Sequence, residues 1–273
     1  MKKTVFILFS ILISSLSAFS QGSEIGPFGG VSFYMGDLNP DKLFYKANPA
    51  FGLVYRKILN PRYAIKSNLI YGTLEAHDAD SPHNENRMRN LHFHTSIIDL
   101  SGQIEFNFLP YIPGQLEKSF SPYIFAGIAV FKFNPKAYID NQWVDLKPLS
   151  TEGQGTSAHP DRKPYSLTQL SFPFGFGLKI AAMKRIALTL EWSYRKTSTD
   201  YLDDVSTTYP NLNVLAEERG TLAASLSDRR TNESELENTQ RGNSKNNDWY
   251  SFAGATLTYK IGPKIPKCPA YQK

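Results

Sequence analysis

Apolar and polar positions alternate with a period of two in segment after segment, and the clearest instance is the last, Trp249 to Ile261. There Trp249, Ala253, Ala255, Leu257, Tyr259 and Ile261 share one parity, and Thr256, Thr258 and Lys260 share the other. That period places successive side chains on opposite faces of a strand. A dyad pattern of this length, with an aromatic near each end, suits one stave of a closed barrel in lipid. There every backbone polar group must pair with a neighbouring strand.

Seven more segments carry the pattern. Glu24 to Gly36 sets Ile25, Val31, Phe33 and Met35 against Glu24, Ser32 and Tyr34. Pro49 to Arg56 alternates Phe51, Leu53 and Tyr55 with Gly52, Val54 and Arg56, and Tyr63 to Leu74 opposes Tyr63, Ile65, Leu69 and Tyr71 to Lys66 and Asn68. His94 to Phe108 is the most regular, with Ile98, Leu100, Ile104, Phe106 and Phe108 against Asp99, Ser101, Gln103, Glu105 and Asn107. Tyr123 to Asn134 is apolar on both faces until Lys132, which leaves its orientation open. Leu167 to Ile180 presents Leu170, Phe172, Phe174, Phe176, Leu178 and Ile180 against Gln169, Ser171, Gly175, Gly177 and Lys179. Across the turn Ala181 to Lys184, Ile186, Leu188, Leu190, Trp192 and Tyr194 point outward, and Thr189, Glu191, Ser193 and Arg195 inward. The expected fold is all-β, an eight-stranded antiparallel transmembrane β-barrel with long extracellular loops.

Connection lengths support that topology. Those after strands two, four and six are short or moderate (Lys57 to Arg62, Leu109 to Ser121, Ala181 to Lys184), whereas those after one, three, five and seven are longer and polar. Short periplasmic turns and long external loops are the outer-membrane arrangement, and an even strand count returns both termini to the periplasm. A soluble sandwich or lipocalin-like barrel would share the periodicity with its faces exchanged. The bulk of the apolar face argues against that, because an eight-stranded lumen is only just wide enough for side chains to fill. The polar face then lines the lumen with Arg56, Lys66, Asp99, Glu105, Lys179, Glu191, Arg195 and Lys260. Charges of both signs in a narrow lumen are expected to pair, which predicts a plugged barrel. A proton or ion path through these groups is the alternative.

The N-terminus supplies a route to such a membrane. Lys2 and Lys3 precede an apolar run from Val5 to Leu16, and Ala18-Phe19-Ser20 places small residues before a cleavage at Gln21. Residues 1–20 read as a signal peptide, 21–262 as the barrel, and 263–273 as a periplasmic, proline-rich tail. The apolar run is shorter than the ~20 residues a spanning helix needs. No other run approaches that length, and no cysteine follows the signal to carry an N-terminal lipid. Hydrophobic content of 41% with negative mean hydropathy excludes a helical membrane protein but suits a barrel, in which only alternate residues face lipid. Removing Lys2 and Lys3 leaves 28 basic against 25 acidic side chains, a balance that gives no argument for nucleic acid.

The external loops hold candidate chemistry. Ala137 to Val144 reads as two short β-runs about Asp140-Asn141, a hairpin prolonging strands five and six beyond the membrane. Loop four, Thr197 to Asp248, carries a helical pattern beginning at Pro210 with Leu212 and Leu215 and ending at Gly220, and a second with Leu222 and Leu226. Loops of that length are functional or disordered, and Asn232 to Asn247 is polar and asparagine-rich. Asp200, Asp203 and Asp204 could ligate calcium, yet no D-x-D-x-D-G spacing accompanies them. Helix capping or pairing with Arg229 and Arg230 is the simpler reading. His77, Asp78, Asp80 and His83 could bind a transition metal, but a polar loop offers no fixed scaffold for it. An enzyme would draw on His94 and Ser96, which share a face at the rim, with Asp99 orienting a base from the lumen side. Two residues at so common a spacing are weak evidence, and rim anchoring of the loop is the simpler role. The single cysteine, Cys268, sits in a basic tail stiffened by Pro263, Pro266 and Pro269. An exported chain with one cysteine suggests pairing with a partner chain or a free thiol, and the extended tail suits docking.

Several strings carry a resemblance: Tyr34-Met35-Gly36-Asp37-Leu38, Thr199-Asp200-Tyr201-Leu202-Asp203-Asp204-Val205-Ser206, Leu226-Ser227-Asp228-Arg229, Gln240-Arg241-Gly242-Asn243 and Lys267-Cys268-Pro269-Ala270-Tyr271. With these, essentially the whole mature chain resembles the PorG-like outer-membrane β-barrel proteins of Bacteroidetes, the family of the type IX secretion system barrel. The resemblance implies a non-enzymatic anchor or scaffold in the cell outer membrane, in contact with outer-membrane lipid and with periplasmic secretion-system proteins or lipoproteins. The residues expected to matter are Cys268, Pro269 and Tyr271 for a partner, and Asp200, Tyr201, Asp203, Asp204, Asp228 and Arg229 in the loop motif. No catalytic residue, metal or cofactor is expected. The alternatives are an OmpX-type surface barrel acting through its loops, and a lipid A-modifying outer-membrane enzyme.

Overall fold

The computed structural model describes residues 22–113, 115, 119–230 and 236–262. The signal segment and the tail bearing Cys268, Pro269 and Tyr271 lie outside the described residues.

Each dyad segment forms a long strand: β1 (Ser23–Met35), β2 (Asn48–Ile58), β3 (Tyr63–His77), β4 (His92–Asn107), β5 (Phe120–Lys132), β8 (Thr168–Ile180), β9 (Ile186–Thr197) and β10 (Trp249–Ile261). They pair antiparallel in the order β3-β2-β1-β10-β9-β8-β5-β4, and β3 pairs with β4 to close the ring. The seam joins the chain's first and last strands, with Ser23 opposite Ile261 and Met35 opposite Trp249. Closure removes every edge, so the ladder is satisfied without water. Among the described residues no helix is long and apolar enough to cross a membrane; the strands do that work.

Exposure follows the parity of each strand. Phe51, Ile104 and Ile128 are more than 60% exposed, whereas Arg56, Glu105 and Arg195 are at or below 1%. An apolar belt around a closed barrel that buries its charges is stable only with hydrocarbon outside. The chain is therefore a transmembrane barrel with polar groups inside.

β5 resolves the orientation left open above: Ile124, Ile128 and Val130 face out, and Tyr123, Phe125 and Phe131 face in. This lumen holds more rings than its width suggested, with Phe28, Phe93, Tyr250 and Phe252 inside as well. Inward-facing glycines make the room. A Cβ on Gly177 would lie 2.7 Å from the Tyr123 ring, and one on Gly175 would lie 2.7 Å from the Phe125 ring.

The external side is elaborated. β6 (Lys136–Ile139) and β7 (Gln142–Asp145) form the expected hairpin, turning at Asp140 and Asn141, both with positive φ, as a tight two-residue hairpin requires. It joins β4, through His94 opposite Lys136, rather than prolonging β8. Loop two contains an unexpected helix, α1 (Asn84–Arg89). Loop four carries the two expected helices, α2 (Leu212–Arg219) and α3 (Thr221–Ser227). α2 starts after Asn211, whose side chain accepts from the main-chain N–H groups of Asn213 and Val214, and not at Pro210.

Candidate functional site

The lumen at membrane level is filled by an ion-paired ladder. Arg56 bridges Glu24 at 2.7 Å and Glu105 at 2.8 Å, and Lys179 reaches Glu105 at 2.5 Å. Lys66 lies 3.4 Å from Glu105 and pairs with Glu191, which also accepts from the Tyr123 hydroxyl at 2.5 Å. Nearer the external end Arg195 pairs with Asp99 at 3.0 Å, and the Tyr250 hydroxyl donates to the same carboxylate at 2.7 Å. Seven of the eight anticipated lumen charges thus pair as expected. Among the described residues Lys260 is the exception: its Nζ donates to the Pro113 carbonyl at 2.9 Å. Glu24, whose face was read correctly but not its role, completes the set. At the periplasmic end the buried Tyr111 ring sits 5.6 Å from Lys179 Nζ, with its hydroxyl 3.4 Å from Glu24.

The external mouth is closed by a cap built from three loops. Loop four enters with Thr199 to Ser206, almost wholly buried, because Leu202 and Val205 drop into the apolar cluster at the top of the lumen. The carboxylates come down with them. Asp203 accepts from the Tyr34 hydroxyl at 2.5 Å, and the same hydroxyl lies 2.7 Å from Asp248. Asp248 also accepts from Leu202 N at 2.9 Å and Asp203 from Val205 N at 2.9 Å. Asp204 accepts from Thr151 and, at 2.6 Å, from the Tyr165 hydroxyl. The Tyr165 ring stacks on Tyr201 at 4.8 Å and 9°. Glu152 organises the other side, accepting from Ser206 N at 2.8 Å, the Thr207 hydroxyl at 2.7 Å and Arg241 at 3.0 Å. Arg241 also donates to the Asp204 carbonyl at 2.7 Å. Below it Arg89 holds Asp78 through both oxygens, at 2.7 Å each.

These surroundings move the acids away from ordinary carboxylate behaviour. Burial raises Asp200 to about 8, and burial raises Asp204 to about 6 against the opposing pull of Arg241. Asp203 and Asp248 are likewise raised by burial, and the Asp248 charge adds to the effect on Asp203.

Four of the strings that carry the family resemblance therefore meet in one place: the end of β1, Thr199 to Ser206, the end of α3 and Gln240 to Asn243. The expected partners do not. Arg229 donates to His92 at 3.1 Å, and Arg230 pairs with Asp228 at 3.1 Å; no ion pair of either with Asp203 or Asp204 is formed among the described residues. Tyr34 holds Asp203 instead, and Thr151 and Tyr165 hold Asp204, while Arg241 bonds the Asp204 carbonyl and Glu152. Tyr34 and Arg241 lay within conspicuous strings; Glu152, a lone acid before Gly153-Gln154-Gly155, had no periodic signal.

Other candidate clusters disperse. Asp78 is taken by Arg89, Asp80 by the Tyr45 hydroxyl at 2.6 Å, and His83 by Asp41 at 2.8 Å. No group of three His, Cys, Asp or Glu among the described residues is placed to hold a metal ion. His94 and Ser96 face outward, against Glu75 at 3.4 Å and Tyr71 at 3.1 Å, while Asp99 is inside on Arg195. The barrel wall separates them.

A filled eight-stranded barrel with an apolar belt, short turns at one end and long folded loops at the other is an outer-membrane β-barrel. The chain belongs to the family defined by the domain of unknown function DUF6089, whose model matches residues 2–217 and 212–270. No curated protein matches it in sequence. Among solved structures it is similar to Neisserial surface protein A, with 8% identity over 88% of this chain and 97% of that one and a TM-score of 0.44. It is also similar to Ail, the attachment invasion locus protein of Yersinia pestis, in a complex with the heparin analogue sucrose octasulfate (12%, 88% and 97%, TM-score 0.39). A third is the outer membrane protein OprG from Pseudomonas aeruginosa (11%, 87% and 96%, TM-score 0.40).

Proposed function

We propose that this outer-membrane barrel is a non-enzymatic anchor or scaffold that contacts periplasmic proteins through its C-terminal tail, in the service of a type IX-like protein secretion system. The observation that carries the anchor reading is the filled interior: paired charges occupy the lumen, Tyr111 lies over one end and the cap over the other. A barrel filled by paired charges suits a rigid body that holds something in place better than a conducting pore. The secretion role and the tail contact rest on the resemblance and on the composition of 263–273. Deleting residues 264–273 should leave an inserted, heat-modifiable barrel but abolish co-purification of periplasmic partners and any dependent secretion. Cys268→Ser should remove only a disulfide-linked species seen without reductant. Full secretion and unchanged co-purification from the truncated chain would sink this reading.

A second reading, action at the cell surface through the external loops, is favoured by the cap itself. Loop four is anchored through Asp203, Asp204 and Arg241, more order than a connector needs. Retained function in the truncated chain combined with loss in Asp203→Ala, Asp204→Ala would support it.

A further inference from the structure

Outside the barrel, at its external rim, a groove of about 710 Å³ opens between loop one and the end of loop four. Its floor is the outward face of three strands, with Phe174 of β8, Tyr194 of β9 and Trp249 of β10 side by side; Phe174 stacks on Tyr194 at 5.8 Å and meets Trp249 edge-on at 5.9 Å. The floor continues the lipid-facing column Leu190, Trp192, Tyr194 directly upward. Its lip is basic. Lys196 is the next outward residue of that column, with its Nζ 5.4 Å from the Trp249 ring, and Lys245 overhangs from loop four. Both lysines are exposed, and neither has a carboxylate within 4 Å among the described residues.

We propose that this groove binds an anionic, phosphate-bearing lipid of the outer leaflet, its headgroup on Lys196 and Lys245 and the first carbons of its chains on the aromatic floor. Three features of the site select that ligand. Aromatic rings at the rim belong at the boundary between hydrocarbon and water, where amphipathic side chains settle. The two cations lie just above that boundary, at headgroup level, where basic residues attract anionic lipid. The volume is in the range that encloses a small polar ligand with part of its apolar attachment. One acid borders the groove, Asp37, and it is turned to other work: its Oδ2 accepts from Asn243 N at 2.8 Å, and burial raises its pKa, which favours its neutral form. A zwitterionic headgroup, whose ammonium the two lysines repel, would gain less from the pair.

The test uses the full chain in bilayer nanodiscs, with Trp143→Phe and Trp192→Phe leaving Trp249 as the emitter. Brominated phosphatidylglycerol or brominated phosphatidylcholine, titrated into a phosphatidylcholine background, reports local lipid composition by quenching Trp249. The expected result is local enrichment of the anionic lipid, falling roughly fivefold for each of Lys196→Gln and Lys245→Gln and reaching the bulk ratio in the double variant. Lys136→Gln, elsewhere on the rim and paired with Asp145, should change nothing. Equal quenching by both lipids, or undiminished enrichment in the correctly folded double variant, would overturn the proposal. So would displacement of the anionic lipid by millimolar inorganic phosphate beyond that caused by sodium chloride of equal ionic strength, since the site would then be one for free phosphate.

Discussion

The barrel interior and its cap both bury carboxylates, but they neutralise them differently. Every acid of the membrane-level lumen faces a cation: Glu24 and Glu105 face Arg56, Glu191 faces Lys66, and Asp99 faces Arg195. In the cap, Asp203 and Asp248 share one tyrosine hydroxyl and each accepts from a main-chain N–H of its own, with no ion pair to either among the described residues. A region of buried charges encircled by hydrocarbon needs opposite charges in contact. A region bordering water can hold its acids partly protonated, with hydroxyls as partners. Stability of the first resides in ion pairs, whereas the second adds protons and hydroxyl hydrogen bonds at Asp203 and Asp248 to the pairs of Glu152 with Arg241 and Asp78 with Arg89.

The largest expected effect comes from removing one sign in the lumen. Glu105→Ala leaves Arg56, Lys66 and Lys179 short of their shared partner and should cost about 3–5 kcal/mol, measured as urea unfolding in lipid. A smaller loss would mean that the lumen is not the tightly paired region described. On the wall, Leu190→Arg places a charge in hydrocarbon and should cost about 2–4 kcal/mol while leaving cap and lumen contacts intact. Within the cap, Tyr34→Phe strips the shared donor from two buried acids, a loss of about 1–3 kcal/mol that should loosen loop four to protease without altering heat-modifiability.

The smallest effect is the most diagnostic. Acids whose pKa is raised on folding favour the protonated, folded cap. Their contribution is complete below about pH 4. It is lost as pH rises through about 6 for Asp204 and about 8 for Asp200. Cleavage of loop four by an external protease should therefore accelerate between pH 5 and pH 9, after correction for the enzyme's own profile, while the barrel stays folded. Acceleration on acidification instead would reverse the assignment of charge states in the cap.

The strands were legible because a period of two needs no knowledge of the partner. β4 and β8 announce both their faces and their ends. β5 did not, since Tyr123 and Phe125 inside look like Ile124 and Ile128 outside; what separates them is Gly175 and Gly177 across the ladder on β8, whose missing side chains admit the rings. The site was half legible for a related reason. A string with three aspartates stands out, but a carboxylate's partner is fixed by the fold. Asp203 finds Tyr34 at a separation of 169 residues, whereas the nearby and plausible Arg229 is drawn to His92. Parity alone placed His94 and Ser96 on one face and Asp99 on the other, and the structure keeps the wall between them.

The seam between β1 and β10 has a kinetic meaning. Its two strands are the first and last of the barrel, so no shorter part of it can form the closing ladder, and the search for it spans all the strands between. The cap is tied to the same event, because Tyr34 ends β1 while Asp248 immediately precedes β10. Loop four can lock only after the ring has shut. Acquisition of protease resistance at the cell surface would then time the completion of assembly, and a chain stalled one strand short would announce itself by an open, digestible loop.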